Sequence, residues 1–211
     1  MDDIPRRTEA AGRARLLDAA EALFANRGYF GATLRDITQT AGVPLGLATY
    51  HFRNKDELYR ETLLRRVPEL SSALSAALER AHDDGIAAIL KAYAYAHLEP
   101  LASAIPGWRS YMRLVAMTML QSEERDLAQP MTAYMPVVHS FQAALAKAAP
   151  HIEPRRLEQA FYIFQKSVLA ICADIQWQAQ PEGFSPGELG SLLADLTARG
   201  LGERAIAANE A

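Results

Sequence analysis

The sequence has a single cysteine, Cys172, in 211 residues. A lone thiol cannot close an internal disulfide, so no disulfide framework holds this fold and a reducing cytoplasm is the expected setting. Its neighbours, Val168-Leu169-Ala170-Ile171 and Ala173, are apolar, which reads as a buried structural thiol in preference to a redox sensor. No run of about 18 uncharged apolar residues occurs, so no membrane-spanning helix is expected. The opening Met1-Asp2-Asp3-Ile4-Pro5-Arg6-Arg7 lacks the basic-then-apolar order of a secretory signal. Alternating apolar and polar runs bounded by turn residues, the mark of strands, are scarce. A large excess of positive charge is missing too: the net charge is −3, so no global field gathers a polyanion and any such contact needs a local patch. Gly-x-Ser-x-Gly, P-loop and dinucleotide-binding spacings are absent, so no enzyme is read here. One Glu-x-x-His, Glu79 to His82, falls short of the two such motifs and two further glutamates of a di-iron bundle. It reads as a solvated helix end, and neither a metal nor a cofactor is expected.

What the chain does have is Ala, Leu, Glu and Arg recurring at three- and four-residue spacing, which predicts an all-α protein. Arg13 to Arg27 places Leu16, Leu17, Ala20, Leu23 and Phe24 on one face, and Gly28 follows as a C-cap. Thr33 can cap a short helix carrying Leu34, Ile37 and Ala41, which Gly42 ends. Pro44 suits the first position of the next short helix, running to about Phe52. Asn54 then caps a helix from Lys55. Beyond Pro68 longer helices with broad apolar faces are expected over about 69–82, 84–103, 107–122, 126–148, 154–178 and 186–200. Pro130 and Pro136 should start, kink or divide the fourth of these. A small head over 1–54 and a larger helical domain over 55–211, joined by the helix at Lys55, is the expected organisation. Basic residues concentrate toward the N-terminus: residues 1–66 hold 11 Lys/Arg against 9 Asp/Glu, leaving 11 against 16 in 67–211.

Three helices in the first 52 residues, with Ala41-Gly42-Val43 between the second and third, form a helix-turn-helix pattern. The segment Ala20-x-x-Leu23-Phe24-x-x-x-Gly28-Tyr29-x-x-x-Thr33-Leu34-Arg35-Asp36-Ile37-x-x-x-Ala41-Gly42-Val43 resembles the TetR family of bacterial regulators. So does its continuation, Pro44-Leu45-Gly46-Leu47-Ala48-Thr49-Tyr50-His51-Phe52-Arg53-Asn54-Lys55-Asp56-Glu57-Leu58. The likeness covers roughly residues 13–63. It implies a head whose third helix enters the major groove of double-stranded DNA. Leu23, Phe24, Ile37, Val43, Ala48, Phe52 and Leu58 would form the core beneath that helix. Thr33, Arg35, His51 and Lys55 would then meet phosphates, with Arg35 also able to reach a guanine edge, and Pro44, Leu45, Gly46, Thr49 and Tyr50 would face base edges. Tyr50 and His51 have the alternative of packing against the first helix. Many relatives carry Ser at the position of Pro44 and a polar residue at Leu45, so thymine methyls and DNA shape should count for more than hydrogen bonds here.

The resemblance also implies a homodimer, built on the last two long helices. Phe161, Phe164, Val168, Ile171, Cys172 and Ile175 give one apolar face and Leu189, Leu192, Leu193 and Leu196 another; either could equally be intramolecular core. The middle helices would form a pocket for a small-molecule effector. Trp108, Tyr111, Met112, Val115, Met119, Tyr134 and Phe141 could line it, with His97, Arg109, Arg113 or His139 as polar anchors, though such stripes are commonly core. The expected function is a ligand-responsive regulator, a repressor, released from a near-palindromic operator by a hydrophobic effector. The alternative is a DNA-binding dimer without an effector or controlled by a protein partner.

Overall fold

The structure, a computed structural model, describes residues 3–121, 127–174 and 185–202. Among them the chain forms α1 (Asp3–Gly31), α2 (Leu34–Ala41), α3 (Leu45–His51), α4 (Lys55–Leu64) and α5 (Val67–Ala81). There follow α6 (Gly85–Ala102), α7 (Trp108–Gln121), α8 (Met135–Ala148), α9 (Pro154–Ala173) and α10 (Pro186–Gly200). No strand occurs among the described residues, and the all-α class is the one read from the sequence.

Local chemistry explains most boundaries. The Thr33 hydroxyl accepts from the Asp36 amide while the Asp36 carboxylate accepts from the Thr33 amide, a reciprocal cap that starts α2. Gly42, at φ 62°, closes α2 in the left-handed region that side chains avoid. Asn54 caps α4 through the Glu57 amide, and Ser185 caps α10 with Glu188 as its reciprocal partner. The expected helix over 126–148 is divided: a 3₁₀ turn, Gln129–Tyr134, contains Pro130, and α8 begins with Pro136 in its first turn. Helix α1 starts about ten residues earlier than its apolar spacing suggested. Pro5 falls in its first turn, where a missing N–H breaks no helical bond. Gly28, at φ 69°, interrupts the far end of α1.

Two compact units result. The first comprises Met1–Pro68 with Ser103–Ala133, so α7 belongs with α1 to α4; the second comprises Glu69–Ala102 with Tyr134–Ala211. In the first unit Leu16, Phe24, Ile37, Ala48, Phe52, Leu58 and Tyr111 are buried. Phe24 and Tyr29 both pack their rings edge-on to Tyr59, at 4.9 and 5.1 Å. Each such side chain contributes about 1.5–3 kcal/mol on burial. In the second unit Leu90, Tyr93, Leu98, Phe141, Phe164 and Val168 form the core. A side chain at Gly190 would collide with Leu98 and Ala94, so α10 lies close against α6 because glycine is there.

Candidate nucleic-acid interface

Helix α3 has two faces. Ala48 is 1% exposed, and Leu47 lies so near α1 that a Cβ on Gly12 would strike its Cδ2 at 2.7 Å. The opposite face, with Leu45, Gly46, Thr49 and Tyr50, is exposed, as is Pro44 at the N-cap. Helical periodicity puts Leu45 above Thr49 and Gly46 above Tyr50, one turn apart. The Thr49 hydroxyl donates to the Gly46 carbonyl at 3.0 Å. Phe52, buried beneath the Arg13 guanidinium at 5.4 Å, anchors the end of the helix.

The expected phosphate contacts divide. Arg35 is exposed on α2. Thr33 is exposed too, but its hydroxyl donates to Asp36 at 2.6 Å and is committed to the cap, which holds the Asp36 carboxyl below its ordinary value. His51 is half-buried, its ring edge-on to Tyr50 at 5.1 Å and its Nε2 buried without a hydrogen-bond partner. Lys55 corrects the sequence reading. Its ammonium donates to the carbonyls of Tyr29 and Ala32 at 2.9 and 3.1 Å and sits 4.1 Å from the centre of the Tyr29 ring. It is a half-buried clamp, aimed at the end of α1. Tyr29 in turn donates its hydroxyl to Asp56. Arg53, to which the sequence reading gave no role, is a cation at the head's surface, its side chain 90% exposed and its Nε 3.9 Å from Glu57. The signal was there: a cation two residues past the end of the third helix.

A second device was also missed. Glu21 on α1 is 1% exposed and meets Arg66 through Nε at 3.0 Å, with Arg65 Nη1 at 3.6 Å. Burial raises its carboxyl pKa, and the two arginines oppose the rise. Arg66 also donates to the Pro106 carbonyl and lies over the Trp108 ring at 5.1 Å. Gly107, at φ 86°, lets the chain pass this ion pair, since an added Cβ would strike both Arg66 and Glu21. Sequence spacing cannot show a pairing across 45 residues.

The effector candidates are not gathered within one unit. Trp108, Tyr111, Met112 and Val115 are buried in the first unit, where the Tyr111 hydroxyl donates to the Leu63 carbonyl at 2.8 Å. Met119 is half-buried and Arg109 exposed on the same helix. Arg113 donates from Nε to the Ala25 carbonyl at 2.8 Å, binding α7 to α1. Tyr111 and Trp108 thus pack within the first unit, against Leu63 and Arg66. In the second unit His139 is exposed, whereas His97, Tyr134 and Phe141 are buried. His97 Nδ1 lies 2.8 Å from the Tyr93 carbonyl, so it carries the proton, and Nε2 accepts from the Tyr134 hydroxyl at 2.7 Å. Burial lowers the His97 pKa to about 4 and pushes the Tyr93 hydroxyl up to about 12. Gln165 Nε2 donates to Tyr93, completing the network among the rings of Phe141, Phe161 and Phe164.

The partner face also needs correction. Phe161, Phe164, Val168 and Cys172 are buried within the protomer, at 2% exposure or less, and cannot face a second chain. Cys172 is the buried thiol expected, its pKa raised to about 12 by burial. Ile171, Leu189 and Leu193 are half-buried, and Ile175 lies outside the described residues. On α9 and α10 the exposed large apolar side chains among the described residues are Tyr162, Ile163, Leu192 and Leu196. Among the described residues no cluster of three His, Cys, Asp or Glu could hold a metal, and no helix is long and apolar enough to cross a membrane. His82 is exposed and turns to the Glu79 carbonyl and Asp83.

Comparison with known proteins agrees with this geometry. Among characterised regulators, TtgR of Pseudomonas putida is 42% identical over 67 residues, covering 32% of this chain and 31% of that protein. The activator FasR of Mycolicibacterium smegmatis is 39% identical over 72 residues, covering 34% and 33%. Each alignment thus spans about a third of the relative. Whole-chain likeness appears at the level of the fold. A tetR-family regulatory protein from Rhodococcus RHA1 superposes with a TM-score of 0.66 at 20% identity, over 90% of this chain and 96% of that one. FadR from Bacillus subtilis, in complex with stearoyl-CoA, gives 0.63 at 13% identity, over 89% and 98%. Residues 16–62 match the bacterial regulatory proteins of the tetR family, and residues 91–198, just over half the chain, match the tetracyclin repressor-like C-terminal domain. The chain belongs to the TetR family of transcriptional regulators.

Proposed function

We propose that this regulator is a repressor that binds a near-palindromic operator as a homodimer and is released by a small hydrophobic effector. The carrying observation is the exposed stripe of α3, Leu45, Gly46, Thr49 and Tyr50, on a helix whose other face is packed into the head. One head makes few DNA contacts, so specific affinity calls for two, spaced about one duplex turn (~34 Å) apart. Tyr162, Ile163, Leu192 and Leu196 supply exposed apolar surface on α9 and α10 for pairing. The match of residues 91–198 to a tetracyclin repressor-like C-terminal domain supports an effector-binding role for that part of the chain. An apolar effector is in keeping with the acyl chain carried by the ligand of the FadR structure.

Release follows from population shift. A ligand that prefers the conformation with the two heads wrongly spaced, by about 1–3 kcal/mol, lowers operator occupancy. In this reading a ligand acts by changing the separation of the α3 pair. Selection of bound sequences from a random duplex library tests the reading. Paired half-sites one turn apart are expected, together with a dimer by light scattering. A monomer that ignores duplex of every sequence in low salt would end it. For the effector, a thermal-shift screen should find a ligand adding about 2.7 kcal/mol at 100 times its dissociation constant.

A further inference from the structure

Helix α3 offers DNA an unusual set of groups. Its exposed stripe holds an aliphatic side chain, Leu45, half exposed at 50%, and a phenol, Tyr50, 70% exposed. Between them Gly46 has nothing within 4 Å of where a Cβ would stand, so bare backbone is open to close approach. Thr49 spends its hydroxyl proton on the Gly46 carbonyl at 3.0 Å, and its methyl is the part without a hydrogen bond. The stripe carries no carboxylate, amide or guanidinium.

Those missing groups are the ones that read base edges by paired hydrogen bonds: Arg or Lys on guanine, Asn or Gln on adenine, Asp or Glu on cytosine. What the aliphatic part of the stripe, Leu45 and the Thr49 methyl, can recognise in the major groove is the C5 methyl of thymine. Leu45 and the Thr49 methyl lie one turn apart on the same face, with the gap at Gly46 allowing the helix to settle against the base edges. We propose that thymine methyls select the operator, with Leu45 and Thr49 as the specificity-determining contacts. This rests on the operator-binding reading above.

Deoxyuridine removes the methyl and leaves every hydrogen-bonding group of thymine in place. Operators obtained by selection would be remade with deoxyuridine for each thymine in turn. Binding of the parent, Leu45→Ala and Thr49→Ser would then be followed by fluorescence anisotropy. Both side chains are exposed, so both variants should keep the parent's helical circular dichroism. The expected result is a loss of about fourfold per methyl at particular thymines in each half-site. One such penalty should vanish in Leu45→Ala and another in Thr49→Ser. Indifference to uracil at every position, or penalties that persist in both variants, would overturn the proposal. A 5-methylcytosine·guanine pair at the same position should bind more weakly than thymine·adenine; equal or tighter binding moves recognition to methylated cytosine and refutes the thymine assignment. If the parent bound no duplex at all, the regulator reading itself would fall, and this inference with it.

Discussion

Lys55 places its ammonium 4.1 Å from the centre of the Tyr29 ring and donates to the Tyr29 carbonyl at 2.9 Å. The Ala32 carbonyl accepts from the same group. The last carbonyls of α1 lack helical donors, and a cation there both satisfies them and meets the negative end of the helix. The clamp holds the α1–α2 corner, and so the direction in which α2 and α3 are presented.

Lys55→Ala should therefore lower unfolding stability by about 2 kcal/mol, the sum of a partly desolvated cation–π contact and charge-assisted hydrogen bonds. Chemical denaturation measures this. In the same variant the slope of log affinity against log salt should move by much less than the ~0.9 expected for one lost phosphate contact. A full step in that slope would return Lys55 to the DNA surface.

Glu21→Ala leaves Arg66 without its buried carboxylate and should cost about 3 kcal/mol. Combining it with Arg66→Met should recover a good part of that loss, because no unpaired charge then remains. Gly107→Ala should also destabilise, by about 1–2 kcal/mol, from its positive φ and the collision with the ion pair. Thermal unfolding of the three variants decides the matter. A stable Gly107→Ala would mean that the turn at Pro106 relaxes freely.

His97 introduces a pH dependence whose sign is determined by burial. Its folded pKa is lowered to about 4, while the unfolded chain binds the proton near the ordinary value of about 6.5. Between these values the unfolded state holds more protons, so stability falls with acidification. The contribution is full above about pH 6.5 and is lost toward pH 4, for a total of about 3 kcal/mol. Urea unfolding at several pH values should show this slope, and His97→Gln should flatten it. An unchanged slope in the variant would assign it to carboxylates elsewhere.

Ile163→Glu and Leu192→Glu each put a charge on a side chain already well exposed, at 64% and 57%. Helical content should be retained while dimerisation weakens by at least tenfold, since an unpaired charge would be buried at the partner surface. Sedimentation or light scattering over a dilution series reads it. Dimers unchanged in both variants would place the partner surface elsewhere.

Much of the head was legible because its signals are local. Thr33, Gly42 and Asn54 each act within four residues, through caps whose chemistry is independent of the rest of the chain. The outward residues of α3, Leu45, Gly46, Thr49 and Tyr50, were implied by the family resemblance, and they are exposed. Legibility failed where a side chain had two possible partners far apart in sequence. The face through Phe161, Phe164 and Val168 would look the same whether it met a second chain or Tyr93 of its own. The aromatic run Trp108 to Met112 gave no sign that it would be core of the head, against Arg66 and Leu63. Lys55 at the start of a helix looked like a free cation, because the carbonyls it serves lie 23 and 26 residues earlier.

Periodicity, caps and the helix-turn-helix string, all short-range properties, were enough to specify an all-helical chain with a DNA-reading head. Folding in three dimensions alone decided which apolar faces are core and which remain open, that α7 joins the head, and that Glu21 and Lys55 point inward. The reason is that burial and ion pairing depend on which distant segments meet, and spacing along the chain carries no record of that.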